Sequence, residues 1–256
     1  MMSTCFADKD SIVRAIWGKA DTVLFIFAGA SAEFALNRSV DWLYFTGRLP
    51  SDPLGRLFST VDYSRQIIFS ENEKALRSID QITAIHKNVE ANRGASIPAE
   101  AYLEVLYMLI DYSIRAFELM ERKLTTAEKT EVFDVFYRVG RRMQLEGLAT
   151  NYPEYVIARE KQVNGNLVLS RFTPDLYKQY KKHLGPVRFF VLKQAQVLVV
   201  PERVNGLLGL GKIKWLLPVV QLYKLFRLLK LQNLLKKAIL PPAYISQVMA
   251  MDTASL

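Results

Sequence analysis

Two histidines occur in the 256-residue sequence, and the neighbours of His86 suit metal chemistry. Ile79, Ile82 and Val89 lie at i−7, i−4 and i+3 from it, so they share its face if the segment is an α-helix. A neutral imidazole on an apolar face is the axial ligand that a haem iron requires. The alternative is a core histidine whose ring nitrogens bond to backbone carbonyl groups, because a buried ring without partners is costly.

A polar row precedes this histidine in the sequence. Arg56, Thr60 and Tyr63 follow one another at i, i+4 and i+7, and they share one helical face with Ile67. Such a row either faces solvent or lines a polar pocket. In a pocket, the Arg56 guanidinium would bind an anion such as a propionate or an oxygen intermediate through charge-assisted hydrogen bonds.

Three further residues offer weaker chemical signals. His183 comes shortly before Gly185, where a cation near a helix C-terminus is the simplest interpretation. The alternative is an iron site of two histidines and one carboxylate, which would bring His183 together with His86. Tyr107 and Asp111, at i and i+4, would either line an inner cavity or form a hydrogen bond on a helix surface.

The elements that position these side chains are predicted to be helices. Capping signals mark their starts and ends: an N-cap at Ser51 or Asp52, capping boxes at Ser70–Glu73 and Thr125–Glu128, and stops at Gly94 and Gly147. We find no hairpin signal, alternating strand pattern, internal repeat or low-complexity linker. The sequence therefore predicts an all-α protein, a single globular domain over residues 1–256 with roughly ten or more helices.

Composition excludes several classes of protein. Half of the residues are apolar and 23% are charged, which excludes a disordered chain. The single cysteine, Cys5, allows no disulfide within the chain and fits a reducing compartment. No signal peptide is apparent, and no apolar stretch reaches the roughly 20 residues that cross a bilayer. The stretch NGLLGLGK lacks the spacing of a phosphate-binding loop, so nucleotide binding is not expected.

The net charge of +9 belongs mainly to the C-terminal quarter. From Arg203 to Met251 the sequence has eight basic residues and no acidic residue, in an aliphatic background. Aliphatic neighbours favour a membrane surface over nucleic acid, which would call for polar and stacking groups. The segment 203–251 is therefore either a peripheral membrane contact through residues 212–240 or a buried helix whose lysines extend to solvent. The expected location is the cytoplasm, peripheral on a membrane.

Several short runs carry a family resemblance. The run DPLGRLFST followed by AIHKNV, with FAGASAEFAL upstream and PERVNGLLGLG downstream, resembles the oxygenase family of the latex-clearing protein (a rubber oxygenase) and the endoplasmic-reticulum-bound oxygenase of mycophenolic acid synthesis. The similarity spans about residues 17 to 210, and the order of an Arg-x-x-x-Thr element and a His-x-x-Val element carries it. It implies an all-α domain with a globin-like core that holds haem b between helices.

The resemblance also implies roles for individual residues. His86 matches the family's axial histidine, and Arg56 and Thr60 match its distal arginine and threonine. Ser59 stands where the rubber oxygenase has a lysine, which removes that lysine as a sixth ligand and leaves an open or water-filled distal position. Asp41 is the nearest counterpart of a distal acid. The family's aromatic-rich segment after the histidine is replaced here by ASIPAEAYLEVLYML, so substrate specificity does not carry over.

The hypothesis from the sequence is a haem b-dependent oxygenase. His86 is the iron ligand, Arg56 and Thr60 are catalytic, and Arg56, Ser59 and Tyr63 join His86 around the cofactor. The partners are dioxygen and a hydrophobic, isoprenoid or lipid-like unsaturated substrate, which would undergo oxidative cleavage or oxygenation at a double bond; no nucleic acid is expected. Two alternatives stay open: a non-catalytic haem- or lipid-binding protein at a membrane surface, and a helical scaffold without haem in which His86 is a core residue.

Overall fold

The structure, a computed structural model, describes residues 5–47, 51–228 and 252, which are largely helical. The helices are α1 (Ile12–Trp17), α2 (Ala20–Phe34), α3 (Val40–Phe45), α4 (Pro53–Phe69), α5 (Asn72–Arg93), α6 (Ala99–Met120), α7 (Thr126–Arg142), α8 (Tyr152–Gly165), α9 (Phe172–Val199), α10 (Glu202–Leu208) and α11 (Leu216–Leu228). Among these residues, β pairing is limited to two isolated bridges. The prediction of an all-α globular fold is confirmed for this part of the chain, whereas its extent over residues 1–256 and a globin-like core stay predictions.

Local capping chemistry sets the ends of the helices that carry the polar row and the histidine. The Asp52 carboxylate accepts a hydrogen bond from the Gly55 backbone N–H at 2.9 Å, and proline follows in the first turn of α4. Helix α5 ends at Gly94, which takes the left-handed conformation (φ 71°) that glycine tolerates best. The capping box of Thr125 and Glu128 opens α7. These three predictions are confirmed.

Two predicted helix ends are wrong, each for an identifiable reason. Ser70 does not cap α5, because its carbonyl accepts from the Phe6 N–H at 3.0 Å and the chain stays extended there; Glu71 is the N-cap instead. Helix α7 ends at Arg142 rather than near Gly147. Gln144 already adopts a left-handed φ of 58°, and the following residue, Leu145, donates back to the Gly140 carbonyl at 3.1 Å, which closes the helix.

Helix α9 is two helical segments that fold back on each other at Gly185. Gly185 has φ 73° and ψ 171°, outside the helical region, and Pro186 follows it. The Tyr177 hydroxyl donates to Gln196 Oε1 at 2.9 Å. A straight helix would separate these two residues by roughly 28 Å, so the chain must reverse between them. The predicted helix end near Gly185 is therefore confirmed, and α9 as a whole is a helical hairpin.

Helices α2 and α6 lie side by side through the centre of the molecule, and their close approach depends on Gly29. A Cβ atom at Gly29 would lie 2.3 Å from the ring of Tyr112, which is fully buried. The main hydrophobic core surrounds this pair, and its largest buried side chains include Trp17, Ile26 and Phe133. The contact between Gly29 and Tyr112 thus holds α2 and α6 together, and both helices contribute residues to the wall of the cavity described below.

None of the helices in the described part of the chain is long and apolar enough to cross a membrane. Helix α11 belongs to the basic C-terminal segment predicted from the sequence. Residues 229–240 of the predicted membrane contact, with Lys230, Lys236 and Lys237, lie outside the described residues.

Candidate functional site

A cavity of about 980 Å³ opens between α4, α5, α6 and α7, with further wall from α2 and α3. Its volume lies at the upper end of the roughly 300–1,000 Å³ that small-molecule sites occupy. The four residues predicted to surround the cofactor and the predicted catalytic Thr60 all line this one cavity; the four are Arg56, Ser59, Tyr63 and His86. The structure thus brings together side chains from two consecutive helices that the sequence places about thirty residues apart.

The cavity is polar and exposed at one end and apolar and buried at the other. Lining residues at the exposed end include Asp52, Asn88 and Asn92, with half-buried Arg56 beside them. At the buried end the lining residues are aliphatic or aromatic, among them Ile67, Ile68, Leu106, Leu109, Val135 and Phe136. Helix α4 runs from the polar mouth to the apolar floor, and α5 returns from the floor to the mouth. The cavity therefore suits a ligand with a polar edge and an extended apolar body.

The polar row of α4 is ordered by hydrogen bonds within its own helix. Arg56 Nη1 donates to Ser59 Oγ at 3.3 Å, and Ser59 Oγ donates to the Arg56 carbonyl at 2.8 Å. Thr60 Oγ1 donates to the same carbonyl at 3.2 Å. Both hydroxyl protons are thus directed to the helix backbone, and the Ser59 oxygen supports the guanidinium. Ser59 and Thr60 therefore offer oxygen lone pairs to a ligand rather than hydroxyl protons, and Arg56 offers a cation.

His86 lies on the opposite wall, partly buried between Tyr102 and Arg56. The His86 and Tyr102 rings meet edge to face, with centroids 5.1 Å apart. The His86 Nδ1 atom is buried and has no hydrogen-bond partner. The pKa of His86 is lowered from 6.5 to about 4, chiefly by burial and secondly by the nearby charge of Arg56, while Glu90 opposes both effects. The imidazole is therefore neutral at physiological pH, with a ring nitrogen that no backbone carbonyl satisfies.

The lowered pKa of His86 predicts that the folded protein loses stability in acid and that His86→Leu loses less. The unfolded chain binds a proton at His86 near pH 6.5 but the folded protein only near pH 4, so stability falls as the pH drops through that window. After allowance for the part of the ring that water reaches, we expect haem-free wild type to lose about 2 kcal/mol more than His86→Leu between pH 7 and pH 4. Urea unfolding at both pH values measures this difference. Equal losses in the two proteins would contradict it.

The His86 environment fits a haem axial ligand. A neutral imidazole with an unsatisfied nitrogen, in the wall of a large and mainly apolar cavity, has the protonation state and setting that haem iron requires. Arg56 supplies the cation that a propionate or a developing anion would need. His86 would hold the iron of a bound haem, and Arg56, Ser59 and Tyr63 are among the polar residues that line the same cavity.

His183, the second histidine, lies away from His86 in the structure. His183 Nδ1 lies 2.9 Å from the Gln179 carbonyl oxygen and Nε2 lies 3.0 Å from the Ser51 carbonyl oxygen, so both ring nitrogens contact acceptors. His183 is not among the residues that line the cavity with His86. Across the described residues, no group of three or more His, Cys, Asp or Glu side chains could hold a metal ion, so an iron site of two histidines and a carboxylate does not form there.

Asp41 and the Tyr107–Asp111 pair also differ from their sequence interpretations. The Asp41 carboxylate pairs with Arg93 at 2.7 Å, and Asp41 itself does not line the cavity. Tyr107 accepts from the Ala149 N–H at 2.6 Å, whereas Asp111 pairs with Arg115 and Arg159. Tyr107 and Asp111 therefore take separate partners and neither line the cavity nor bond to each other.

Sequence reasoning missed a buried network behind the cavity. Arg159 makes a two-pronged pair with Glu33, with Nη1–Oε1 2.5 Å and Nη2–Oε2 2.7 Å, and it also reaches Asp111. Tyr112 donates to Glu33 Oε2 at 2.9 Å. Nearby, Glu104 accepts from Asn37, a cavity residue, and from Asn166 at 2.6 Å. No local motif marks these long-range partners; only apolar surroundings at Glu33, Glu104 and Asp111 hinted at buried carboxylates.

Comparison with known protein families identifies one family that covers most of the chain. The family described as ER-bound oxygenase mpaB/B'/Rubber oxygenase, catalytic domain, matches residues 17–230. Neither the curated proteins nor the solved structures gave a match. The matched range includes all of α2 to α11, and with them the polar row of α4 and His86.

Proposed function

The chain belongs to the family of ER-bound oxygenase mpaB/B' and rubber oxygenase catalytic domains, and we propose that it is a haem b-dependent oxygenase. Because the chain belongs to this family, we expect it to be an oxygenase catalytic domain that acts on a small-molecule substrate with dioxygen. The observation that supports haem in this chain is His86, whose buried Nδ1 lacks a partner in the wall of the cavity that Arg56 shares. The substrate proposed is an apolar molecule with a carbon–carbon double bond, of isoprenoid or lipid type.

Each site residue has a role that its surroundings support. His86 offers a neutral imidazole to the iron, which supplies the redox chemistry with dioxygen when haem is bound. Arg56 stabilises negative charge as it develops in the cavity, held in place by Ser59. Thr60, whose proton is bonded to its own helix, orients water by accepting a hydrogen bond from it, and it would bind oxygen only by turning its hydroxyl away from the helix. The buried aliphatic end of the cavity excludes water and receives the apolar body of the substrate.

An absorption spectrum and an oxygen electrode test this proposal. Purified protein supplied with haemin should show a Soret band, and it should then consume oxygen in the presence of an unsaturated isoprenoid or fatty acyl compound. A saturated compound of equal length is the matched control. A protein that is colourless after incubation with haemin and removal of the unbound haemin would overturn the haem proposal, and a coloured protein that consumes no oxygen with any such lipid would leave only the binding function.

Replacing Arg56 separates catalysis from cofactor binding. We expect Arg56→Ala to keep the Soret band while oxygen consumption falls by about 100-fold, the loss typical when one preorganised charge-stabilising donor is removed. Arg77→Ala is the matched control, because Arg77 is exposed on α5 and its one ion pair, with Glu73, is also exposed. Unchanged turnover in Arg56→Ala, or an equal loss in Arg77→Ala, would contradict a catalytic role for Arg56.

A second candidate function is haem or lipid binding without turnover. The observation that favours it is Ser59, which stands in the cavity wall where the rubber oxygenase has a lysine. This candidate predicts the same Soret band and its dependence on His86, but no oxygen consumption. The proposal for either function includes a cytoplasmic location and peripheral contact with a membrane, which would place the protein where apolar substrates dissolve.

A further inference from the structure

Helix α11 packs on the body of the protein through its charged side. Arg227 Nη1 lies 3.0 Å from Asp21 Oδ2 at the start of α2, and Nη2 lies 2.8 Å from Glu121 Oε2 at the end of α6. Val220, seven residues earlier and therefore on the same face, is buried. The two ion pairs, one to each of the central helices, fix which side of α11 faces inward.

The opposite side of α11 is apolar and exposed. At 3.6 residues per turn, Leu222 and Leu225 lie roughly 140° and 160° from Arg227 around the helix axis. They are 53% and 54% exposed, Val219 at the edge of this side, roughly 80° from Arg227, is 52% exposed, and Trp215, just before the helix, is 64% exposed. In a usual surface helix the leucines face the core, whereas here Leu222 and Leu225 face water and Arg227 faces inward beside Val220. We call Trp215, Val219, Leu222 and Leu225 the α11 apolar face.

Positive charge borders this face. Lys212 and Lys214 are exposed in the loop that leads into α11, on either side of exposed Ile213. From Arg203 to Met251 the sequence contains no acidic residue, so no carboxylate of this segment neutralises them. An aliphatic face with a tryptophan at its end and lysines at its edge matches the composition of helices that lie in the interface of an anionic membrane.

We propose that the α11 apolar face is a docking surface for anionic lipid membranes, with Trp215, Leu222 and Leu225 entering the interface and Lys212 and Lys214 contacting lipid headgroups. Nucleic acid fits this surface poorly, because its outward side chains are mainly aliphatic, with Gln221 as the exposed polar residue of α11, and they offer no row of stacking rings. The assignment rests on the membrane contact included in the proposed function, for which it names the surface and the class of lipid, and it does not depend on haem. A colourless protein that binds vesicles would leave it intact.

Vesicle sedimentation tests the proposal with full-length protein. Wild type should sediment with vesicles of phosphatidylcholine mixed with phosphatidylserine, and far less with phosphatidylcholine alone. Leu222→Ser/Leu225→Ser should lower partitioning at least about 10-fold, because burial of even one leucine is worth about that factor. Lys212→Gln/Lys214→Gln should lower it roughly fivefold per lysine on the anionic vesicles, and salt should have the same effect.

Controls separate membrane docking from other occupants of the surface. Ile157→Ser/Leu169→Ser removes two apolar side chains that are even more exposed, on α8 and in the loop after it, and should leave sedimentation unchanged. Wild type that does not sediment with anionic vesicles overturns the proposal. A wild-type dimer in lipid-free solution that Leu222→Ser/Leu225→Ser converts to a monomer also overturns it, because a second copy would then be the occupant. Circular dichroism of each variant confirms folding, which removal of exposed leucines should not impair.

Discussion

The His86→Ala variant should purify and refold without a Soret band under conditions in which the wild type shows one. His86 is the one residue of the cavity wall with a neutral imidazole and a buried nitrogen that lacks a partner. Loss of an outer-shell partner typically costs 10- to 100-fold in metal affinity, so loss of the ligand itself should exceed about 100-fold. Titration of haemin into both proteins, followed by absorption, measures the difference directly.

The second histidine provides the matched control for this experiment. His183 contacts carbonyl groups of Gln179 and Ser51 and does not line the cavity, so His183→Ala should retain the Soret band. Free imidazole added to His86→Ala should restore part of the band, since the space left by the side chain admits it. A Soret band of unchanged position and strength in His86→Ala would exclude His86 as the axial ligand. His86→Leu, with an aliphatic side chain on an apolar wall, guards against a folding defect.

Much of the candidate site was predictable because it is built from two consecutive helices. The caps at Asp52 and Gly94 set the ends of α4 and α5, and the short connection between them makes the helices antiparallel neighbours. Helical periodicity then determines which face of each helix carries Arg56 and which carries His86. The face of α4 with Arg56 and the face of α5 with His86 each combine apolar and polar side chains, so the sequence allowed them either to meet or to face solvent. In the structure both faces line one cavity.

The remaining walls could not be predicted, because they depend on contacts between distant segments. Val135 and Phe136 reach the cavity floor from α7 by packing that no local pattern encodes. The start of α5 also depends on a contact with a distant segment. Ser70 and Glu73 have the spacing of a capping box, but the bond from Phe6 to the Ser70 carbonyl holds the chain extended and shifts the helix start. Tertiary pairing overrode local preference at that point.

The buried network of Glu33, Arg159 and Asp111 is expected to dominate the stability of the fold around the cavity. Glu33 is 3% exposed and Arg159 6% exposed, and between them two short bonds join α2 to α8. Arg159→Leu would leave the carboxylates of Glu33 and Asp111 without this cation in a dry interior. Removing one partner of a buried ion pair costs about 3–5 kcal/mol, which in a domain of this size corresponds to a fall in Tm on the order of 10 °C.

Urea and thermal unfolding of three variants distinguish a buried charge left alone from a lost contact. Glu33→Leu/Arg159→Leu should recover much of the stability that Arg159→Leu loses, because it removes both members of the pair. Arg142→Leu breaks a two-pronged pair with Asp80 that is exposed to solvent, and it should change stability little. Equal losses in Arg159→Leu and Arg142→Leu would refute the role of burial.

The network also bears on the site, since Glu33 directly precedes Phe34 in the cavity wall and Asp111 lies two residues after Leu109 in its floor. We therefore expect Arg159→Leu to weaken haem retention at temperatures where the wild type retains haem, although Arg159 itself does not line the cavity.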